Sequence, residues 1–326
     1  MSTVQRALAL SVLAPGVLGT LYPGLSTANH SCSLVDPVLS CSKGAQAGLV
    51  DTCCAETFGG LILQTQFWDT YTGLESEGQL LPENSWTIHG LWPDFCNGSY
   101  TQYCDLSRQY DPFPDPNTTT GTPDGTPVPA WKGEPVYKFL DRFQRYDLLA
   151  YMKRYWIGWN QPSWNLWAHE FSKHATCFSS FDKECWGPAY VQHEEVIEFY
   201  ETVITYYKRL PTWRWLAEGG IVPSNRTSYT LSHIQGVLTS RFGKLPYLGC
   251  TGARYNETHA GRGSSDDGFT ALDEMWYYYH VYGRVQNADA VPVDASIAGS
   301  VTSCAKAPGA IWYYERTRHS VRPSDA

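Results

Sequence analysis

Apolar stretches along the chain predict a set of β-strands. Residues 61–68 and 86–91 are rich in the branched and aromatic residues that favour core strands. Residues 272–285 are dense in tyrosine and tryptophan and are predicted to form one long strand, and residues 310–314 a last one.

Three longer segments predict helices. Residues 136–156, 190–210 and 231–242 place apolar side chains at helical spacing. Pro211 is expected to end the second helix and Gly243 the third. No repeat and no domain linker is visible. Segregated helices and strands predict a single α+β domain, which we expect to have a central, mostly antiparallel sheet with helices packed on it.

The N-terminus has the pattern of a signal peptide over residues 1–27, with a positive charge at Arg6, an apolar run and then small residues. The run is too short to span a bilayer, and no later segment has about 18 consecutive apolar residues, so no membrane partner is expected. A buried N-terminal helix is the alternative, and Pro15 and Gly16 would break it.

Two further segments are predicted to lie at the surface. Residues 111–131 carry prolines among threonine, glycine and aspartate, which indicates an exposed insertion. Residues 315–326 are expected to form a surface tail. The folded domain is therefore expected over residues 28–314.

Ten cysteines predict a disulfide-stapled fold formed in an oxidising compartment. A zinc site is disfavoured, because the chain lacks a pair of C-x-x-C motifs and the adjacent Cys53 and Cys54 do not easily chelate one metal. N-glycosylation sequons agree with secretion or with a vacuole-like lumen, and they lie at Asn29, Asn97, Asn117, Asn225 and Asn256.

The net charge of −8 argues against a protein that grips nucleic acid by bulk electrostatics. It does not exclude a nucleic-acid enzyme. Protonation of the 9 histidines would nearly neutralise the chain. An anionic substrate is therefore better tolerated at acidic pH.

A histidine stands inside the apolar segment Trp-Thr-Ile-His-Gly-Leu-Trp-Pro-Asp, residues 86–94. Taken alone, His89 would more often be a structural core residue than a catalytic one. A serine hydrolase is poorly supported, since the chain has no G-x-S-x-G motif.

A second segment, His-Glu-Phe-Ser-Lys-His, brings four reactive side chains together. If it is helical, a rotation of about 100° per residue puts His169, Glu170, Lys173 and His174 on one face. A solvated charged face is the plainer alternative. A zincin site is disfavoured, because the histidines are five residues apart and zinc needs them four apart.

Together, WTIHGLWPD and HEFSKHATC resemble the two active-site segments of the ribonuclease T2 family, acid ribonucleases that cleave RNA with little base preference. The match extends from about Cys32 to the strand around Tyr277, and the ten cysteines resemble those of fungal members. The resemblance implies a metal-independent endoribonuclease that needs no cofactor and acts on single-stranded RNA. We expect a monomer. A catalytically idle secreted glycoprotein of the same fold and, more distantly, a secreted metalloprotease are the alternatives.

The resemblance also implies residue roles. His89 and His174 would be the acid and base of a first step that leaves a 2′,3′-cyclic phosphate. Glu170 and Lys173 would stabilise the phosphorane, and His169 would bind phosphate. The chemistry is sensible, because RNA carries its own nucleophile and needs a base, an acid and charge complementary to phosphate. The sequence itself does not assign which histidine is the base.

Base-binding residues follow from the same resemblance. Trp92, Asp94 and Tyr100 match the family's first base pocket, in which an aromatic ring stacks on the base and a carboxylate accepts from an exocyclic amine, favouring adenine. A second pocket is less clear, because Leu166 stands where the family usually has an aromatic residue. Gln66 is a candidate member of it.

The resemblance implies five disulfide bonds, since spacing alone does not give connectivity. They would join Cys32 to Cys54, Cys41 to Cys96, Cys53 to Cys185, Cys104 to Cys177, and Cys250 to Cys304.

Overall fold

The structure is a computed structural model that describes residues 32–252 and 268–323. The predicted signal peptide and the sequons at Asn29 and Asn256 lie outside the described residues. In the described part of the chain, no helix is long and apolar enough to cross a membrane.

One sheet organises the described residues, in the order β2-β1-β5-β7-β3, with β4 and β6 also paired to β5. Every pair is antiparallel except β5 with β7, which confirms the predicted α+β class. The strands are β1 (Leu61–Phe67), β2 (Thr87–Asp94), β3 (Ser228–Tyr229), β4 (Tyr247–Thr251), β5 (Thr270–Val281), β6 (Ala290–Val293) and β7 (Ile311–Trp312).

Six α-helices accompany the sheet in these residues: α1 (Tyr137–Arg142), α2 (Tyr146–Tyr155), α3 (Ser163–Lys173), α4 (Glu194–Lys208), α5 (Thr212–Glu218) and α6 (Leu231–Phe242). The third predicted helix is confirmed as α6, and Gly243 ends it in the left-handed conformation. Pro211 follows α4 as expected, although α5 begins directly after it.

The single helix predicted over residues 136–156 is wrong, because the chain breaks it at Gln144. This residue adopts a φ of 55°, and its amide donates to the carbonyl of Asp141 while that of Arg145 donates to Leu140. The two bonds form a Schellman motif, which satisfies the last carbonyls of α1 and turns the chain into α2.

The two faces of the sheet pack differently. One face buries residues such as Ile62, Ile88 and Met275 against the helices in the large core. The other face buries a small cluster that includes Leu63 and Tyr278. Several aromatic rings pack against this cluster and remain partly exposed to solvent. This second face is open enough to hold a site.

Five disulfide bonds staple the fold, and their pairs are those that the resemblance implies. Cys41–Cys96 holds the loop after β2, and Cys104–Cys177 holds the turn after α3. Each bond closes a loop and restricts the unfolded chain, which typically raises the free energy of unfolding by about 2–4 kcal/mol.

The C-terminal tail packs on the body instead of lying free on the surface. The Arg316 guanidinium lies 3.8 Å from the ring centroid of Trp68, and its Nε donates to the carbonyl of Asp69. Ser320 is buried and donates to Glu75. Cation–π and hydrogen-bond contacts therefore hold Arg316 and Ser320 against the body, while the residues between them, 317–319, are exposed as expected of a surface tail.

Candidate active site

A β-bulge in β2 orients His89. Thr65 pairs with Gly90 and Gln66 with Ile88, which leaves His89 as the extra residue of the strand. Bulges bend a strand and re-aim a side chain, and they are common beside active sites. The Phe67 ring stacks on the imidazole at 3.7 Å between centroids and holds His89 in place. The His89 side chain remains 16% exposed to solvent.

Helix α3 supplies the second group of side chains. It begins after Pro162 and buries Trp167 and Phe171 in the large core. The helical prediction for residues 169–174 holds as far as Lys173, and His174 caps the helix with φ −110°. The buried side of α3 thus fixes where its polar residues point.

Strand β2 and helix α3 both line a cavity of about 410 Å³. Its lining includes all three candidate histidines and Lys173, together with the candidate base contacts Trp92, Asp94 and Tyr100. The full lining is Leu63, His89, Trp92, Asp94, Gly98, Tyr100, Gln102, Pro116, His169, Lys173, His174, Tyr247, Trp276, Tyr278, Ala298 and Ser300.

Glu170 lies beneath this cavity and is fully buried. Its Oε2 accepts a hydrogen bond of 2.7 Å from the indole nitrogen of Trp92. Its Oε1 accepts none from the described residues and lies 3.5 Å from Nε2 of His89. A buried carboxylate oxygen of this kind is poised to accept a bond from a group that enters the site.

Gly90 makes room for Glu170. A Cβ atom at position 90 would lie 1.8 Å from Oε2 of Glu170 and 2.7 Å from the indole nitrogen of Trp92. Any side chain here would displace the carboxylate from its present position. The reason for a glycine in the first motif is therefore steric.

The His174 imidazole is buried, and its surroundings favour the neutral form. Burial lowers its pKa well below the usual value, and electrostatic interactions with Lys173, His169 and His89 lower it further. The Trp92 indole stacks on it at 4.9 Å, with the planes 18° apart. An oriented imidazole with a lowered pKa is suited to accept a proton at a lower pH than an ordinary histidine.

The start of the Pro-rich segment belongs to the site. Asp111 is buried, and its Oδ2 lies 2.7 Å from Nδ1 of His169 and accepts from the Tyr103 hydroxyl. The Lys173 ammonium donates to the carbonyl of Asp115. The prediction of an exposed insertion over residues 111–131 is therefore wrong at its beginning, because these polar groups draw it against α3.

Lys173 itself is partly covered. Burial lowers the pKa of its ammonium, while the carboxylate of Glu170 opposes that effect. Together with His169, it places two nitrogen donors on the wall of the cavity. Groups of this type bind phosphate oxygens.

The three candidate base contacts differ in exposure. Tyr100 is 66% exposed and stands at the mouth of the cavity. Burial raises the pKa of Asp94 to about 7, so its carboxyl is neutral at acidic pH. Trp92 has one face covered by His174 and meets the edge of His89 at 4.7 Å, so the covered face is not available to a base.

The second base pocket is not assembled as expected. Gln66 is fully buried, and its amide donates to Gln64 and to the carbonyl of Leu210. Its assignment as a base contact is wrong, because it points into the helix-facing core. Leu166 is also buried in that core.

Sequence reasoning missed Glu274, whose Oε1 lies 2.8 Å from Nδ1 of His89. It stands in the aromatic strand β5, far along the chain from the two motifs. The one available signal was a pair of carboxylates, Asp273 and Glu274, inside an otherwise apolar strand. Among residues 32–252 and 268–323, no group of three or more potential ligands is arranged to hold a metal ion.

Of the candidate glycosylation sites, Asn97, Asn117 and Asn225 are exposed.

The chain is similar to known proteins of one family. The model of the Ribonuclease T2 family matches residues 59–277. Ribonuclease Le2 of Lentinula edodes is 35% identical over 81% of this chain and 91% of that protein. Ribonuclease T2 of Aspergillus oryzae is 34% identical over 79% of this chain and 76% of that protein. Ribonuclease T2-like 1-A of Candida albicans is 33% identical over 90% of this chain, which spans 62% of that relative.

A solved structure has the same fold. The crystal structure of Actibind, described as a T2 ribonuclease, superposes with a TM-score of 0.64 at 30% identity, covering 88% of this chain and 98% of that one.

Proposed function

Because the chain belongs to the ribonuclease T2 family, we propose that it is an endoribonuclease that cleaves single-stranded RNA through a 2′,3′-cyclic phosphate. One observation carries the mechanism. A histidine whose pKa is lowered by burial, His174, and a histidine bonded to a carboxylate, His89, line the same cavity. Such a pair supplies a base and an acid at the same time.

The first step moves two protons. His174 takes the proton of the 2′-hydroxyl, and the 2′-oxygen forms a bond to phosphorus. The bond from phosphorus to the 5′-oxygen breaks, and His89 gives its proton to that oxygen. In the second step, water opens the cyclic phosphate and the two histidines exchange roles.

Positive charge for the phosphorane comes from the chain itself. Lys173 and His169 line the cavity and stabilise charge that grows on the phosphate oxygens. The buried Oε1 of Glu170 accepts a hydrogen bond from a protonated group at the reacting centre. Since these groups perform the necessary chemistry, we propose that the reaction needs no metal, and activity should persist in chelator.

The assay that tests this proposal is the pH dependence of kcat/KM on RNA, measured with and without chelator. We expect a bell with its maximum near pH ~4–6. The acid limb should lie at a pH well below the usual pKa range of histidine. The pKa of His174 is lowered, and His174 can accept a proton at any pH above that pKa. The alkaline limb reports loss of the acid's proton. A rate that rises steadily to about pH 8 would contradict the two-histidine mechanism.

Base binding at Asp94 gives a further prediction. Its pKa of about 7 makes it a carboxylic acid near the optimum, able to accept from the adenine amine and donate to a ring nitrogen. Asp94→Ala should lower kcat/KM for ApU about tenfold relative to UpU, the effect of losing a hydrogen bond to substrate. The four dinucleotides ApU, GpU, CpU and UpU measure this. An unchanged order of preference would remove Asp94 from the base site.

Gly90→Ala tests the packing under the site. The added methyl group displaces Glu170, so kcat should fall about 10²-fold, the loss typical of one electrostatic contact at a reacting centre. Gly236→Ala, at a helical position with nothing within 4 Å, is the matched control and should keep full activity. Equal activity in both variants would show that Glu170 need not stay where the structure has it.

Secretion, or delivery to a vacuole-like lumen, is part of the proposal. Five disulfide bonds form and persist in an oxidising compartment. The exposed Asn97, Asn117 and Asn225 are accessible to glycosylation.

A further inference from the structure

Glu274 is in direct contact with the histidine proposed as the acid. Its Oε1 lies 2.8 Å from Nδ1 of His89, on the far side of the ring from Nε2. Glu274 is the cross-strand partner of Phe67, so both side chains leave the sheet on the same face. The imidazole therefore has a ring stacked on its plane and a carboxylate on one nitrogen.

The neighbouring strand leaves Glu274 little freedom. Gly249 of β4 is its other cross-strand partner. A Cβ atom at position 249 would lie 2.7 Å from Cβ of Glu274 and 3.3 Å from its Oε2. Glycine at 249 thus gives the Glu274 side chain the space in which it reaches His89.

Other charged groups surround His89 without bonding to Nδ1. Glu170 of α3 lies 3.5 Å from Nε2. Asp69 after β1, Asp273 of β5 and the imidazole of His174 interact with it at longer range. Burial raises the pKa of Asp69 to about 7 and that of Asp273 to about 6.

We propose that Glu274 is a positioning residue for the acid: it accepts the hydrogen bond of Nδ1–H and thereby presents the protonated Nε2 of His89 to the departing 5′-oxygen. This inference rests on the proposed function. A carboxylate on Nδ1 fixes the orientation and tautomer of an imidazole and stabilises the imidazolium. In the step itself, the proton of Nε2 passes to the 5′-oxygen as its bond to phosphorus breaks, and Glu274 exchanges no proton.

A pair of substrates isolates this role. In ApU the leaving group is an alcohol and needs a proton, whereas in adenosine 3′-(4-nitrophenyl phosphate) it is 4-nitrophenolate, which leaves without one. Glu274→Ala should lower kcat on ApU about 10²-fold, the usual worth of acid catalysis, with little change in KM. On the nitrophenyl ester, the loss should be less than about threefold, since no acid is needed.

The pH profile provides the second readout. Glu274→Gln keeps a hydrogen-bond acceptor but removes the charge, so the alkaline limb for ApU should move about one unit to lower pH. Asp273→Asn removes a carboxylate from the next residue of the same strand, without contact to His89, and should move this limb much less. Glu274→Asp should recover part of the activity that Glu274→Ala loses.

The outcomes distinguish a failure of the role proposed for Glu274 from a failure of the proposed ribonuclease function. Equal losses on ApU and on the nitrophenyl ester, or an unmoved alkaline limb in Glu274→Gln, would overturn the inference alone. A wild-type protein that cleaves neither substrate would overturn the proposed function and, with it, the inference. Loss on ApU with the ester spared would support both.

Discussion

His89→Ala and His174→Ala should each lower kcat on RNA by about 10²–10⁴-fold, the range of lost acid or base catalysis. Each imidazole makes one proton transfer in the first step, and among the described residues that line the cavity no second imidazole occupies either position. Glu274, the nearest carboxylate to His89, contacts Nδ1 and not Nε2, and Glu170, which lies 3.5 Å from Nε2, is fully buried. The loss should appear in kcat more than in KM.

The two variants should differ on the nitrophenyl ester. His89→Ala should be largely spared there, because the leaving group needs no acid, whereas His174→Ala should lose activity on both substrates. His233→Ala, at an exposed histidine of α6, is the matched control and should be fully active. Thermal unfolding should show all three variants folded. Near wild-type activity in either active-site variant would contradict the mechanism.

A single 2′-deoxynucleotide should make the following phosphodiester bond resistant. Without the 2′-hydroxyl there is no internal nucleophile, so cleavage at that bond should fall below detection, on the order of 10⁴-fold or more. A 2′-O-methyl group should protect the same bond. The other bonds of the same oligonucleotide serve as internal controls, and gel mapping of the fragments measures both rates.

Efficient cutting after the deoxynucleotide would mean that water attacks phosphorus directly. His174 would then activate a water molecule, and the cyclic phosphate would not form. DNA should resist for the same reason as the single deoxynucleotide.

The two motifs predicted the centre of the site because their residues are close in sequence. His169, Glu170, Lys173 and His174 share one stretch of α3 and its cap, so helical geometry alone brings them together. His89 joins them only through the fold. The bulge that re-aims it arises from the pairing of β1 with β2, which one strand by itself does not reveal.

Partners from distant segments could not be predicted. Glu274 and Asp111 lie 185 and 58 residues from the histidines that they contact. The Pro-rich composition predicted a loop correctly but not where its first residues pack. Gln66 was misplaced because β1 is buried on both faces, so its sequence shows no alternation that tells one face from the other.

The most direct measurement of the central claim is the mass of the first product from a short RNA in water enriched in oxygen-18. Attack by the 2′-hydroxyl predicts a 2′,3′-cyclic phosphate that carries no solvent oxygen, followed later by a 3′-phosphate with one labelled oxygen. A labelled linear phosphate from the earliest turnovers, with no cyclic species at any time, would contradict it.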